Sequence, residues 1–261
     1  MFKTQIFSQP KSQGHRLLLI FEKGIATIKI RAKASFFCVA HTLLKNTKNN
    51  QQEARKKLQE LRLLDDILMR AFFRQDKESV QLVLRIILKN NTLKVKGVWT
   101  QDGMTNLIGR SVRLDINAED DTGKKYNIEV QNAKDGASLK RARLNASIMD
   151  AIGSKPGEKY SDLCETYVIF ITEKDPLDYG LPIYHIDRFI RENGVSVDDG
   201  THIIYVNAEI KDNTPLGRLM HDFSCVVPKE MHYEQLANKM HYIKTDEQEV
   251  RRMCEIIEKY A

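Results

Sequence analysis

The chain has 261 residues, 42% of them hydrophobic and 29% charged, with 41 Lys/Arg against 35 Asp/Glu and a formal net charge of +6. Such a length allows one or two domains with a buried core; the balance excludes a disordered chain, and 13 Gly and 6 Pro exclude a collagen-like or linker-dominated one. No apolar run approaches the ~18 residues of a membrane span, since Leu17 to Phe21 ends at once in Glu22 and Lys23.

The charge is unevenly distributed. Residues 1–60 hold 12 Lys/Arg against only Glu22, Glu53 and Glu60, a net of +9, while the remainder holds 29 basic and 32 acidic residues, a net of −3. Residues 1–52 therefore read as a basic leader. It is either an arm that binds phosphates by counterion release or a poorly ordered extension, with the second favoured. Within it, Ile25 to Ile30 alternates like a short strand, Ser35 to Leu44 suits a short helix, and Lys45 to Gln52 reads as a linker.

From Glu53 to about Arg74, Leu58, Leu61, Leu64, Ile67, Leu68 and Ala71 recur at helical steps. A second helix is expected from Lys77 to Leu88, a strand from Leu93 to Trp99 and a loop from Gln101 to Gly109. Arg113 to Gln131 alternates about a turn containing Gly123, a hairpin signal. A basic helix follows from Leu139 to Ala151. Tyr167 to Ile171 is an apolar run of the buried-strand type, and His202 to Val206 is another. Between them a short helix is expected around Asp187 to Glu192. The chain from Leu216 reads as helical, its last helix spanning about Asp246 to Tyr260. The alternation of strands and helices gives an α/β domain over 53–210 with a helical tail over 211–261.

Four scattered cysteines (Cys38, Cys164, Cys225, Cys254) form no CxxC pair, and the seven histidines show no HExxH spacing. This pattern argues against a zinc ribbon or disulfide scaffold and fits a reducing compartment, so the cytoplasm is expected.

The hairpin carries the chemistry. Successive strand residues point to opposite faces, so Arg113, Asp115 and Asn117 share one face with Asn127, Glu129 and Gln131, while Leu114, Ile116, Ile128 and Val130 form the apolar face. A three-residue loop Asp121-Thr122-Gly123, with glycine in the left-handed position, sets Asp120 opposite Lys124 and Asp115 opposite Glu129. Two carboxylates about 5 Å apart at Cβ repel, and a divalent cation between them is the economical remedy. The alternative is a solvated polar face whose charges are offset by Arg113, Lys124 and Lys125.

A strand bearing Asp, a turn and a strand bearing Glu-x-Gln resemble the PD-(D/E)XK nucleases. The ordered set LLDDILMRAFF, GRSVRLDINAEDDTGKKYNIEVQ, SLKRARLNASIMD, YVIFITEKDPLDYGLPIYHID and LMHDF is similar to the transposases of that superfamily, of the recombination-promoting nuclease type, from about Leu63 to the C-terminus. The resemblance implies a restriction-endonuclease-like core, a mixed sheet flanked by helices, with the helical C-terminal tail. It implies a metal-dependent DNA endonuclease in which Asp115 and Glu129 are ligands of Mg²⁺ (or Mn²⁺), with Asp66 as a further candidate and Glu78 as a weaker one. Gln131 stands where the superfamily usually has lysine. It cannot supply charge, which leaves it to orient water or phosphate.

On the helix after the hairpin, Lys140, Arg143 and Ser147 share a stripe suited to phosphate, with Arg141 pointing elsewhere. His185 and His221 are expected in packing or hydrogen-bonding roles. DNA is the expected partner, with no membrane and with a homodimer admitted. The competing reading is a nuclease fold that binds nucleic acid or protein without cutting, favoured by Gln131 and by the net −3 of the body.

Overall fold

The hairpin signal and the two apolar runs become adjacent strands of one sheet in a computed structural model, which describes residues 6–8, 16–21, 24–29, 50–99, 115–132, 134–154 and 156–260. The expected helix over 35–44, linker residues 45–49, the loop over 101–109, and Arg113 and Leu114 lie outside the described residues. The chain divides into two units, Met1–Arg55 and Lys56–Ala261.

In the first unit, β1 (Ile6–Ser8), β2 (Arg16–Phe21) and β3 (Gly24–Lys29) form an antiparallel sheet in the order β1-β2-β3. The strand expected at 25–30 is β3. The apolar run that was too short to span a membrane is β2.

Residues 50–60 are helical (α1), so the last three residues of the expected linker are helix. Helices α2 (Asp66–Phe73) and α3 (Lys77–Ile87) follow. The single helix expected from Glu53 to Arg74 is thus two, and the cause lies far along the chain. The buried Lys244 ammonium donates to the carbonyls of Gln59 (3.0 Å), Leu61 (2.8 Å) and Val226 (2.7 Å), satisfying acceptors that a continuing helix would use. Asp65 accepts the Arg62 N–H at 2.7 Å and sets the turn into α2. Burial brings the Lys244 amine down to about 8.

The second unit is built on β4 (Val95–Trp99), β5 (Ile116–Asp120), β6 (Lys125–Gln131), β7 (Thr166–Thr172), β8 (Ile183–Ile186) and β11 (Thr201–Asn207), in the order β4-β5-β6-β7-β11-β8. The central trio β6, β7 and β11 is parallel and the outer pairings are antiparallel. A parallel β6–β7 pair needs a crossover, and α4 (Leu139–Gly153) lies within it. On its inner face Ala142, Ala146 and Met149 join Val168, Phe170 and Tyr205 in one buried cluster. Phe170 and Tyr205 stack with centroids 5.3 Å apart.

On α2, Leu68, Met69, Phe72 and Phe73 are buried, each such side chain contributing about 1.5–3 kcal/mol. Phe73 stacks on Phe223 of α5 (Pro215–Ser224), and α6 (Glu234–Thr245) and α7 (Glu247–Tyr260) complete the unit. The short helix expected at 187–192 is instead a small hairpin, β9 (Arg188–Phe189) paired with β10 (Ser196–Val197), where the Ile190 N–H bonds the Val195 carbonyl at 2.8 Å.

Candidate active site

The hairpin register runs Ile116↔Ile128, Asn117↔Asn127, Ala118↔Tyr126 and Glu119↔Lys125. Continued by one residue, it sets Asp115 against Glu129, as the turn chemistry implies. Gly123 adopts φ +87°, the left-handed conformation that closes the loop. At this turn end Asp120 accepts from the Tyr126 hydroxyl (2.6 Å), the Thr122 hydroxyl (2.7 Å) and the N–H groups of Thr122 (2.9 Å) and Lys124 (3.0 Å).

The polar face of the hairpin is not solvated, because α4 lies over it. Asn117, Asn127, Glu129 and Asn145 are all buried. Asn145 of α4 donates to Asn127 Oδ1 at 3.2 Å, and Asn127 Nδ2 donates to Glu129 Oε1 at 3.1 Å. Glu129 Oε1 also accepts the backbone N–H of Asp115 at 3.1 Å. The two acids of the motif are therefore physically joined.

Each is met by an arginine. From α2, Arg70 Nη2 reaches Asp115 Oδ1 at 2.7 Å, while its Nε lies 2.7 Å from Asp66 Oδ1. From α4, Arg141 Nη2 donates to Glu129 Oε2 at 2.7 Å and its Nη1 to the Gly136 carbonyl at 2.9 Å. Its guanidinium carbon sits 5.8 Å from the centroid of Phe170, the residue paired with Glu129 in the parallel ladder. Arg141 does point away from the Lys140, Arg143 and Ser147 stripe, and it is Arg141, not that stripe, that meets the acid pair. The inward side of α4 is marked by Ala142, Asn145, Ala146 and Met149, which places Arg141 at its margin and leaves Lys140, Arg143 and Ser147 exposed.

Two arginines do not fully neutralise this pocket. Burial, then the like charge of Asp115, push the Glu129 carboxyl up to about 7, against the opposing pull of Arg141 and of its hydrogen bonds. Burial also raises Asp115; Arg70 pulls it back and Asp66 adds to the rise. Asn145 Oδ1, on the same buried face, has no hydrogen-bond partner among the described residues.

Gln131, the last residue of β6, lies against Gly136, where a Cβ would stand 2.2 Å from Gln131 Oε1. Glycine at 136 thus makes room for the Gln131 amide. Asp66 is half exposed and is connected to Asp115 through Arg70. It does not join Asp115 and Glu129 in a tight three-acid cluster, because among the described residues the one such group of potential ligands is His221, Asp222 and His232. Asp65 holds Arg62, which also reaches Glu173 at 2.7 Å. Glu78 is exposed in the first turn of α3. His185 lines a cavity of about 580 Å³ with Asp120, Tyr126, Tyr167 and His202, at the turn end of the hairpin.

Sequence reasoning missed Arg70 and Arg141. For Arg70 the signal was its position four residues after Asp66 on one helix. For Arg141 it was the small-residue face of the following helix.

A mixed sheet flanked by helices, with an acid pair at the open end of its central hairpin, is the restriction-endonuclease-like arrangement. Residues 66–259 match the family model of the PD-(D/E)XK nuclease family transposases, and the chain belongs to that family. No curated protein and no solved structure matches the chain. The family is of nuclease and transposase type, its superfamily generally uses divalent metal ions, and DNA is the substrate it implies. Among the described residues no helix is long and apolar enough to cross a membrane.

Proposed function

We propose that the second unit is a metal-dependent endodeoxyribonuclease that hydrolyses phosphodiester bonds of cytoplasmic DNA. The observation that carries this reading is the buried Asp115–Glu129 pair, whose negative charge is incompletely offset, so that Glu129 titrates near neutrality. Such a donor set fits a hard cation. The oxygens are carboxylate, and the like-charge strain would be relieved by added positive charge. Asp115 and Glu129 would hold Mg²⁺ or Mn²⁺, with Asp66 as an outer acid acting through Arg70. A divalent ion there would supply positive charge against phosphoryl oxygens and ease the deprotonation of water.

The chain's own groups then have distinct tasks. Gln131 orients water or phosphate through its amide, which Gly136 leaves room to place. Arg141, tied to Glu129 and to the Gly136 carbonyl, brings the positive charge that Gln131 lacks. Lys140 and Arg143, exposed on the same helix, contact phosphates further along the strand.

A second reading, a DNA- or protein-binding module without catalysis, is favoured by the arginine already seated on each carboxylate. Plasmid nicking with and without Mg²⁺ or Mn²⁺ separates the two, using the wild type, Asp115→Ala and Glu129→Ala. Metal-dependent nicking lost in both variants supports the nuclease. Equal activity in all three proteins sinks it, and cleavage-free DNA binding that survives loss of both carboxylates establishes the second reading.

A further inference from the structure

We infer that His221, Asp222 and His232 form a second metal site, for a transition ion of the imidazole-binding kind such as Zn²⁺ or Ni²⁺. His221 and Asp222 lie in the last turn of α5, and His232 stands just before Tyr233, the residue that caps α6. One ligand atom from each of the three lies within 4.8 Å of the others. The two imidazole rings are 4.6 Å apart at centroid, inclined at 60°.

The backbone under these rings is tied by hydrogen bonds. Asp222 is fully buried, and its carboxylate accepts the backbone N–H of His232 at 2.7 Å and of Tyr233 at 2.8 Å. It thereby fixes the start of α6 and holds the His232 backbone beside α5. His221 Nδ1 lies 3.3 Å from Asp222 Oδ1, which sets a ring nitrogen of one candidate ligand beside a carboxylate oxygen of another. His221 is partly exposed and His232 is exposed, which leaves a solvent path for an ion. Loading the site requires side-chain rotation on a backbone that is already held.

The donor chemistry separates this site from the carboxylate pair. Two nitrogens and one carboxylate suit Zn²⁺, Ni²⁺ or Co²⁺, whereas Mg²⁺ takes oxygen ligands in near-octahedral geometry. The inference is therefore independent of whether the chain cuts DNA. The ion would clamp the end of α5 to the start of α6.

The test is Zn²⁺ binding to the full-length chain in chelator-buffered solution, read by equilibrium dialysis and by the thermal unfolding midpoint. The proteins compared are wild type, His221→Ala, His232→Ala, the exposed-histidine control His241→Ala, and the double variant Asp115→Asn/Glu129→Gln. One equivalent of Zn²⁺ should bind and raise the midpoint of the wild type, the control and the double variant. Affinity should fall roughly tenfold or more in His221→Ala and His232→Ala. His232→Ala removes an exposed side chain, so its folding serves as the reference if His221→Ala is unstable. The inference is overturned if wild type takes up no Zn²⁺, if His232→Ala binds it as tightly as wild type, or if uptake disappears only in the double variant.

Discussion

Asp115 and Asp120 bracket the same strand, are equally buried at 4% exposure, and titrate in opposite directions. At the turn end, burial drives Asp120 up, but hydrogen bonds from Tyr126, Thr122 and the Lys124 N–H overcome it and hold the carboxyl below its ordinary value. At the open end, burial again dominates Asp115, yet its neighbours are mixed: Arg70 pulls down while Asp66 pushes up, and the net is a rise. Across the ladder Glu129 is raised as well. One hairpin therefore has a satisfied end that stabilises the fold and a frustrated end that stores electrostatic strain, the pattern expected where stability is traded for function.

The contrast breaks most sharply on activity. Asp115→Asn or Glu129→Gln should reduce metal-dependent cleavage roughly a thousandfold or more, about 4 kcal/mol in barrier, with an unchanged or raised urea midpoint. Asp120→Ala should do the reverse. It strands the Tyr126 hydroxyl and two backbone donors, costing about 2–3 kcal/mol of stability, while cleavage per folded molecule stays near wild type. Loss of cleavage in Asp120→Ala at full stability would erase the distinction between the two ends.

pH separates the ends by up to about 3 kcal/mol. Glu129 holds its proton more tightly folded than unfolded, about 7 against an ordinary 4.5. Between those values the native state binds the extra proton, so this contribution is fully present below about pH 4.5 and is lost as pH rises through about 7. Asp120 has the opposite sign, because its folded value is depressed. Its contribution is present above the ordinary 3.8 and is lost as pH falls through the folded value. Urea unfolding of wild type and Glu129→Gln at pH 5.5 and pH 8 should show the wild type gaining, relative to the variant, at the lower pH. Affinity for Mg²⁺, read by titration, should fall over the same interval as Glu129 protonates. The smallest effect belongs to the leader. Deleting residues 1–50 should weaken salt-sensitive DNA binding while leaving metal-dependent cleavage of the second unit in place.

Much of this was legible because it is local. The hairpin register followed from one glycine and strict alternation, and β7 and β11 from uninterrupted apolar runs. What stayed hidden depends on distant partners. The break between α1 and α2 contains no Pro or Gly; it is set by Lys244. The Asn face of the hairpin reads as solvent-facing until α4 buries it and Asn145 pairs with Asn127. Charge and a shared helical stripe chose Lys140 and Arg143 on α4, whereas the phase of Ala142, Ala146 and Met149 decides that Arg141 meets the glutamate. The histidine pair was invisible for the same reason, since its spacing matches no metal motif and Asp222 brings the rings together.

The space left at Gly136 has a consequence for how the site can evolve. A methyl group there would meet the far end of the Gln131 side chain, not backbone, so alanine at 136 should be nearly silent in unfolding experiments yet displace the Gln131 amide. If Gln131 has the proposed role, position 136 is a tuning point, where reactivity can drift without the fold recording the change.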